Sequence, residues 1–185
     1  PQGRKPKEAR TVAYVAESEH KAFVVHDGKR GPQFDGIWKL TINHDGSYVA
    51  FCVQIAGKTR VVCGDAKGDA FDGVEDLAFV AGGNSIAYKA KNGNSAYVVV
   101  GEHKSEGYDI VEGPLFSRDG GTWAYRAYRK RKWRVCINGK LGPEFDEIRD
   151  LVVSADGKTV AYPVSDGDGG FVMVGEKRGE KFGGV

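Results

Sequence analysis

The feature that most constrains this chain is a residue pair that returns at a fixed interval. Ala13-Tyr14, Ala50-Phe51, Ala87-Tyr88, Ala124-Tyr125 and Ala161-Tyr162 are each 37 residues apart, and five such intervals span the 185 residues. A period of this size marks a repeat architecture, in which each unit buries its apolar surface against its neighbours. The units are 1–37, 38–74, 75–111, 112–148 and 149–185, and together they form one domain.

Each unit reads as four short strands. The first is apolar, as in Leu40-Thr41-Ile42-Asn43 or Leu151-Val152-Val153-Ser154, and it ends at Asp45-Gly46, Gly82-Gly83, Asp119-Gly120 or Asp156-Gly157, a hairpin signal. The second strand carries the alanine and the aromatic residue. The third is the most apolar, with Val24, Val61, Val98, Val135 and Val172 at one repeat position. A terminal box follows: Phe34-Asp35-Gly36-Ile37, Phe71-Asp72-Gly73-Val74, Tyr108-Asp109-Ile110-Val111, Phe145-Asp146-Glu147-Ile148 and Phe182-Gly183-Gly184-Val185.

Adjacent strand positions such as Val24 and Val25 are both apolar, which suits a sheet covered on both faces. Four-stranded sheets stacked face to face around an axis meet that requirement. The alanine lets neighbouring sheets approach, and the aromatic residue fills the space between them. Turn signals every 8–12 residues and the lack of a 3.6-residue period argue against helical repeats. The predicted fold is all-β, a five-bladed β-propeller of five 37-residue, four-stranded repeats. The first unit is its weak point, since Gly3 and Lys5 stand where Leu40 and Ile42 stand one repeat later.

The Asp-Gly turn followed by a Val-Ala-Tyr strand resembles the WD40-like repeat of TolB-type and dipeptidyl-peptidase-type propellers. Ser117-Arg118-Asp119-Gly120 and Ser154-Ala155-Asp156-Gly157 match three positions of that family's Ser-Pro-Asp-Gly turn, and Asn43-His44-Asp45-Gly46 matches two. The proline is absent throughout, as is the Trp-Asp dipeptide of WD40 repeats proper. The resemblance implies the fold and a range of roles, from partner-binding platforms to non-catalytic domains attached to enzymes.

Apolar residues make up 41% and charged residues 28% of the chain, ordinary for a soluble globular protein, and a formal charge of +2 gives no bulk attraction to nucleic acid or membrane. The 27 glycines against six prolines fit many tight turns. No apolar run reaches the roughly 18 residues of a membrane-spanning helix, so no membrane insertion is expected. The sole methionine is Met173, which leaves a removed leader or a longer parent chain open and the compartment unassigned. Cys136 falls at a core position. Cys52 and Cys63 would face each other across a two-residue turn at Gly57-Lys58, as a disulfide or as two buried thiols.

Two regions stand out as candidate binding sites. Asn43, His44, Ser117, Arg118 and Ser154 lie beside the turn after the first strand, at one mouth of a central channel. Residues 125–134 hold six cationic and three aromatic side chains, with Arg126, Arg129, Lys130, Arg131, Lys132 and Trp133 as the binding candidates and Arg129 to Lys132 as an exposed loop. Cations that meet phosphates beside rings that stack on bases are how single strands are held; an acidic protein partner satisfies the same patch. Asp35, Asp72, Asp109 and Asp146 recur one per unit, so symmetry spreads them around the ring. Their expected role is to accept backbone N–H groups where the chain crosses to the next unit. Asp166-Gly167-Asp168-Gly169-Gly170 lacks the ligands of a calcium loop and reads as a hairpin tip.

No catalytic residue, metal site or cofactor is predicted. The expected function is a non-catalytic binding or scaffolding propeller that recognises protein through one face, as a monomer rather than a strand-exchanged oligomer. The alternatives are a hydrolase, glycoside-directed, with its site at the channel mouth, and a binder of nucleic acid or another anion through the fourth unit.

Overall fold

The computed structural model describes residues 11–167 and 169–181, and within them every regular element is a β-strand. The first sheet holds β1 (Ala13–Ser18), β2 (Lys21–His26) and β3 (Lys29–Arg30). The second is β4 (Ile37–Ile42), β5 (Val49–Ile55), β6 (Lys58–Cys63) and β7 (Ala66–Lys67). The third is β8 (Gly73–Phe79), β9 (Ile86–Asn92), β10 (Ser95–Val100) and β11 (His103–Lys104). The fourth is β12 (Ile110–Phe116), β13 (Trp123–Arg129), β14 (Lys132–Ile137) and β15 (Lys140–Leu141). In the fifth, β16 (Glu147–Ile148) and β17 (Val152–Val153) both pair with β18 (Val160–Asp166), followed by β19 (Gly169–Val174) and β20 (Lys177–Arg178). Every pairing is antiparallel, and all but β16–β18 join chain neighbours, so each sheet is a meander, the blade of a β-propeller. The predicted first strand of unit one and Phe182-Gly183-Gly184-Val185 lie outside the described residues.

The repeat boundary sits earlier than the terminal box suggests. Phe34, Phe71, Tyr108 and Phe145 bridge back to Ala22, Thr59, Ala96 and Trp133 of their own blade, whereas Ile37, Gly73, Ile110 and Glu147 begin or precede the inner strand of the next. The box is therefore the crossover. Two of its aspartates do what the sequence suggests: Asp72 Oδ2 accepts the Gly93 N–H at 2.7 Å, and Asp146 Oδ2 accepts the Gly167 N–H at 3.1 Å, each 21 residues ahead in the following blade.

The alanine and the aromatic residue separate onto opposite faces, as strand geometry requires. Phe51, Tyr88, Tyr125 and Tyr162 point back onto the preceding blade, where they meet Val24 and Phe34, Val61 and Phe71, Val98 and Tyr108, and Val135 and Phe145. Ala124 faces forward into the seam with the fifth blade. The Phe34–Phe51 and Phe71–Tyr88 rings meet edge-on at 5.9 and 6.3 Å between centroids. Burying one such ring contributes about 2–3 kcal/mol, and the low polarity of the seam pushes the Tyr88 phenol up to about 12.

The Asp-Gly pairs join antiparallel strands as expected and stand in the middle of six-residue connections. Ser117 N and Ser154 N donate to the carbonyls of Thr122 and Thr159, five residues on, while Gly120 N and Gly157 N close a tighter turn onto Ser117 and Ser154. One local expectation is corrected: the β5–β6 turn falls at Ala56-Gly57, both at positive φ, so Cys52 faces Val61 and Cys63 faces Ala50. The three cysteines are free, and burial pushes the Cys52 thiol up to about 11.

Candidate binding site on the fourth blade

The two candidate regions differ in what their polar groups already do. At the inner turns, Ser117 Oγ donates to Asp119 Oδ1 at 2.6 Å and accepts the Thr122 N–H at 3.0 Å. Ser154 Oγ repeats this with Asp156 at 2.7 Å and the Thr159 N–H at 3.0 Å. Asn43 Oδ1 accepts the Tyr48 N–H at 2.9 Å, and its amide donates to Asn84 Oδ1 of the next blade at 2.7 Å. The Ser117 hydroxyl with the Gly121 N–H holds Asp119, and the Ser154 hydroxyl with the Lys158 N–H holds Asp156, below the usual carboxylate range.

The turns also grip one another across the seams. Thr122 Oγ1 donates to the Gly157 carbonyl at 2.8 Å, Arg118 N to Ala155 O at 3.3 Å, and the His26 ring contacts the Gly46 carbonyl at 2.7 Å. Asn43, Ser117 and Ser154 thus form a structural layer, and of the predicted mouth residues only the His44 and Arg118 side chains project into solvent without such bonds.

The second region is the β13–β14 hairpin. Its loop is two residues long, not four: Arg129 pairs with Lys132, and Lys130 and Arg131 make the turn alone at φ +52° and +66°. This turn type matches the right-handed strand twist but favours Asn and Gly, and each L side chain held there costs about 1–2 kcal/mol. The equivalent blade-two turn, Ala56-Gly57, includes the glycine this geometry prefers. Two long cations are therefore held at a strained tip.

Of the six cationic side chains, four are engaged. Arg126 donates from Nε, at 2.8 Å, and Nη2 to Glu112 and from Nη1 to the carbonyls of Ile148 and Arg149, so it braces the fifth blade. Arg129 meets Glu106 of the third blade at 3.0 Å, Lys132 meets Asp146 at 2.6 Å, and Arg134 lies 3.7 Å from Glu144. The Asp146 carboxylate holds the Lys132 ammonium above its ordinary range. Lys130 and Arg131 have no ion-pair partner among the described residues.

Beneath the tip, Tyr128 and Trp133 face each other across the strands with ring centroids 5.1 Å apart. Together with exposed Ile110, they floor an open hollow of about 790 Å³ rimmed by Lys130, Arg131, Lys132 and Asp146. A second hollow of about 240 Å³ beside the hairpin brings Arg129, Lys130, Lys132 and Arg134 together with Glu106 and Glu144. Of the predicted residues, the structure brings Lys130, Arg131, Lys132 and Trp133 into one site, turns Arg129 to an inter-blade ion pair and ties Arg126 to the fifth-blade seam with its guanidinium 5.1 Å from the centre of the Trp133 ring. Tyr128 and Ile110 are the additions; the pattern of an aromatic residue two before the turn and another two after it was the signal for the first.

Among the described residues, no three His, Cys, Asp or Glu side chains converge as a metal site would need, and no helix is long and apolar enough to cross a membrane. Asp168 of the acidic hairpin tip lies outside those residues.

No protein-family model matches the chain, and no curated protein matches it in sequence. Solved structures do. TolB from Acinetobacter baumannii is 16% identical over 88% of this chain and 49% of its own, with a TM-score of 0.40. The β-propeller domain of the trilobed protease from Pyrococcus furiosus is 13% identical over 93% and 68%, at 0.47. The β-propeller domain of Myceliophteria thermophila Cps50 (Swd1) is 12% identical over 95% and 70%, at 0.40. The chain thus spans about half the length of TolB. Its own repeated four-stranded meanders are blades of a β-propeller, and TolB and WD40-like propellers are the proteins to which it is similar.

Proposed function

We propose that this chain is a non-catalytic binding propeller that takes an acidic segment of a protein partner at the β13–β14 hairpin of its fourth blade. The observation that carries this is the pair Lys130 and Arg131, unpaired and held in a left-handed turn above the Tyr128–Trp133 platform. Exposed cations around a half-buried aromatic floor match the Arg, Tyr and Trp anchors that dominate protein interfaces. The repeated aspartates favour a non-catalytic role: Asp72 and Asp146 are bound by lysines and backbone N–H groups, which lower their proton affinity rather than raise it as a general acid requires.

A nucleic-acid strand is the second reading, favoured by the interleaved cations and rings. The carboxylates of Asp146, Glu144 and Glu106 weigh against it, since they stand within or beside the same hollows. A polyphosphate needs many neutralising contacts, and a site of mixed sign suits a protein segment better.

The test is recovery of partners from the source lysate on immobilised wild-type chain and on Lys130→Ala/Arg131→Ala, with and without nuclease. A protein retained by the wild type in both conditions, and lost from the variant, is the expected outcome. Retention that vanishes with nuclease transfers the site to nucleic acid. A partner held equally by wild type and variant places recognition elsewhere on the propeller.

A further inference from the structure

Four seams join the five blades, and all four are the same interface. In each, the aromatic residue of one blade lies on the third-strand valine of the blade before it. Phe51, Tyr88, Tyr125 and Tyr162 are accordingly 5%, 4%, 1% and 2% exposed. Tyr14 occupies the same repeat position and is 51% exposed, and Val12, just before β1, is 55% exposed. The opposite half of the interface is open at the other end of the molecule. Val174 is 46% exposed where the equivalent Val100 is 8%. Val172 is half-buried, although its counterparts Val24, Val61, Val98 and Val135 are all buried.

One chain therefore carries both halves of an interface that it makes four times internally, each without its mate among the described residues. The leading face around Tyr14 is shaped for a trailing face such as that around Val172 and Val174. Small apolar side chains on one side and an aromatic ring on the other fix both the chemistry and the polarity of the contact. We infer that these faces join two copies of the chain head to tail, with blade one of one copy stacking on blade five of the next as blade two stacks on blade one. The contact is heterologous: each copy uses different surfaces at its two ends. It extends the blade stacking already present in the molecule, and it is separate from the fourth-blade hairpin.

The test uses two variants at positions that are solvent-exposed within the protomer, so that neither disturbs an internal seam. Tyr14→Asp removes the leading face and Val174→Asp the trailing face. Sedimentation equilibrium of the wild type should show mass rising with concentration beyond one protomer, and each variant alone should lose that association. Mixing the two should restore a species of two protomers and nothing larger, because Tyr14→Asp keeps a trailing face and Val174→Asp a leading one. A wild type that stays a single protomer at every concentration overturns the inference, and it would mean that blades one and five of one chain cover each other. A mixture that fails to pair overturns it as well, since the association would then not run through these two faces. Far-ultraviolet circular dichroism unchanged from wild type shows that both variants remain folded.

Discussion

The inner turns and the blade-four hairpin are both short polar connections, yet they sit at opposite extremes of satisfaction. At the inner turns nearly every side-chain donor and acceptor is taken up, within the turn or by the next blade. At the hairpin the strands pair fully, but Lys130 and Arg131 are left with no ion-pair partner among the described residues and with unfavourable backbone angles. A turn whose polar groups hold the fold together has little left for a ligand. A turn that keeps strained, unpaired charge is where a binding role is physically sensible.

The largest break of this comparison comes from the inner layer. Gly120 sits at φ +73°, and a Cβ there would overlap the Ala81 carbonyl oxygen and lie 2.7 Å from Val80 Cγ1, both in the preceding blade. Gly120→Ala therefore combines a left-handed backbone with a clash across a seam. It should destabilise the protein by about 3–4 kcal/mol, measured by urea denaturation. A loss under about 1 kcal/mol would show that the turn layer does not hold the blades together.

The opposite result is expected at the hairpin. Lys130→Asn/Arg131→Gly gives the turn the residues its geometry favours and should raise stability by about 1–2 kcal/mol. The same variant removes both unpaired cations and so should abolish capture of an acidic partner. Stability gained with binding lost would establish that the strain is retained for function. Unchanged binding would leave the strain without that explanation.

How much of this contrast could be read from the chain depended on how local the determinants are. The four-stranded antiparallel repeat, the alanine-aromatic division of faces and the crossover role of Asp72 and Asp146 follow from a period of 37 and the alternation of strands. They survive because each depends on residues close in sequence. The length of the inner turns was not legible from Asp-Gly alone, which is the signature both of a two-residue hairpin and of the centre of a longer turn. What separates the two is the serine or asparagine two residues earlier, reaching five residues forward. The Cys52–Cys63 register failed by two residues because Gly57 was placed first in the turn, whereas Ala56 precedes it there. At the hairpin, the excess of cations was plain in the sequence but their pairing was not. Glu106 and Glu112 lie 23 and 14 residues from Arg129 and Arg126, and only the stacking of blades brings the first of these pairs together.

Acid should separate the two regions more finely, with the smallest effect of the three. Asp119 in the inner layer and Asp146 below the hairpin both have lowered proton affinity in the folded state, the first from the Ser117 hydroxyl and the Gly121 N–H, the second from Lys132 and the Gly167 N–H. A lowered folded-state value means that each carboxylate stabilises fully above the ordinary range of about 4 and loses that contribution as pH falls through its folded-state value. Asp119→Asn and Asp146→Asn should each flatten the drop in melting temperature on acidification below about pH 4. Salt should then distinguish them. The Lys132–Asp146 pair is an exposed ion pair, so high salt should weaken its contribution and bring wild type and Asp146→Asn together. Asp119 is held by neutral donors of its own turn, and its difference from Asp119→Asn should persist. Equal salt sensitivity at both sites would mean that the hairpin carboxylate is held by its backbone contact to Gly167 rather than by Lys132, and that a third cation at the hairpin is free to meet a ligand.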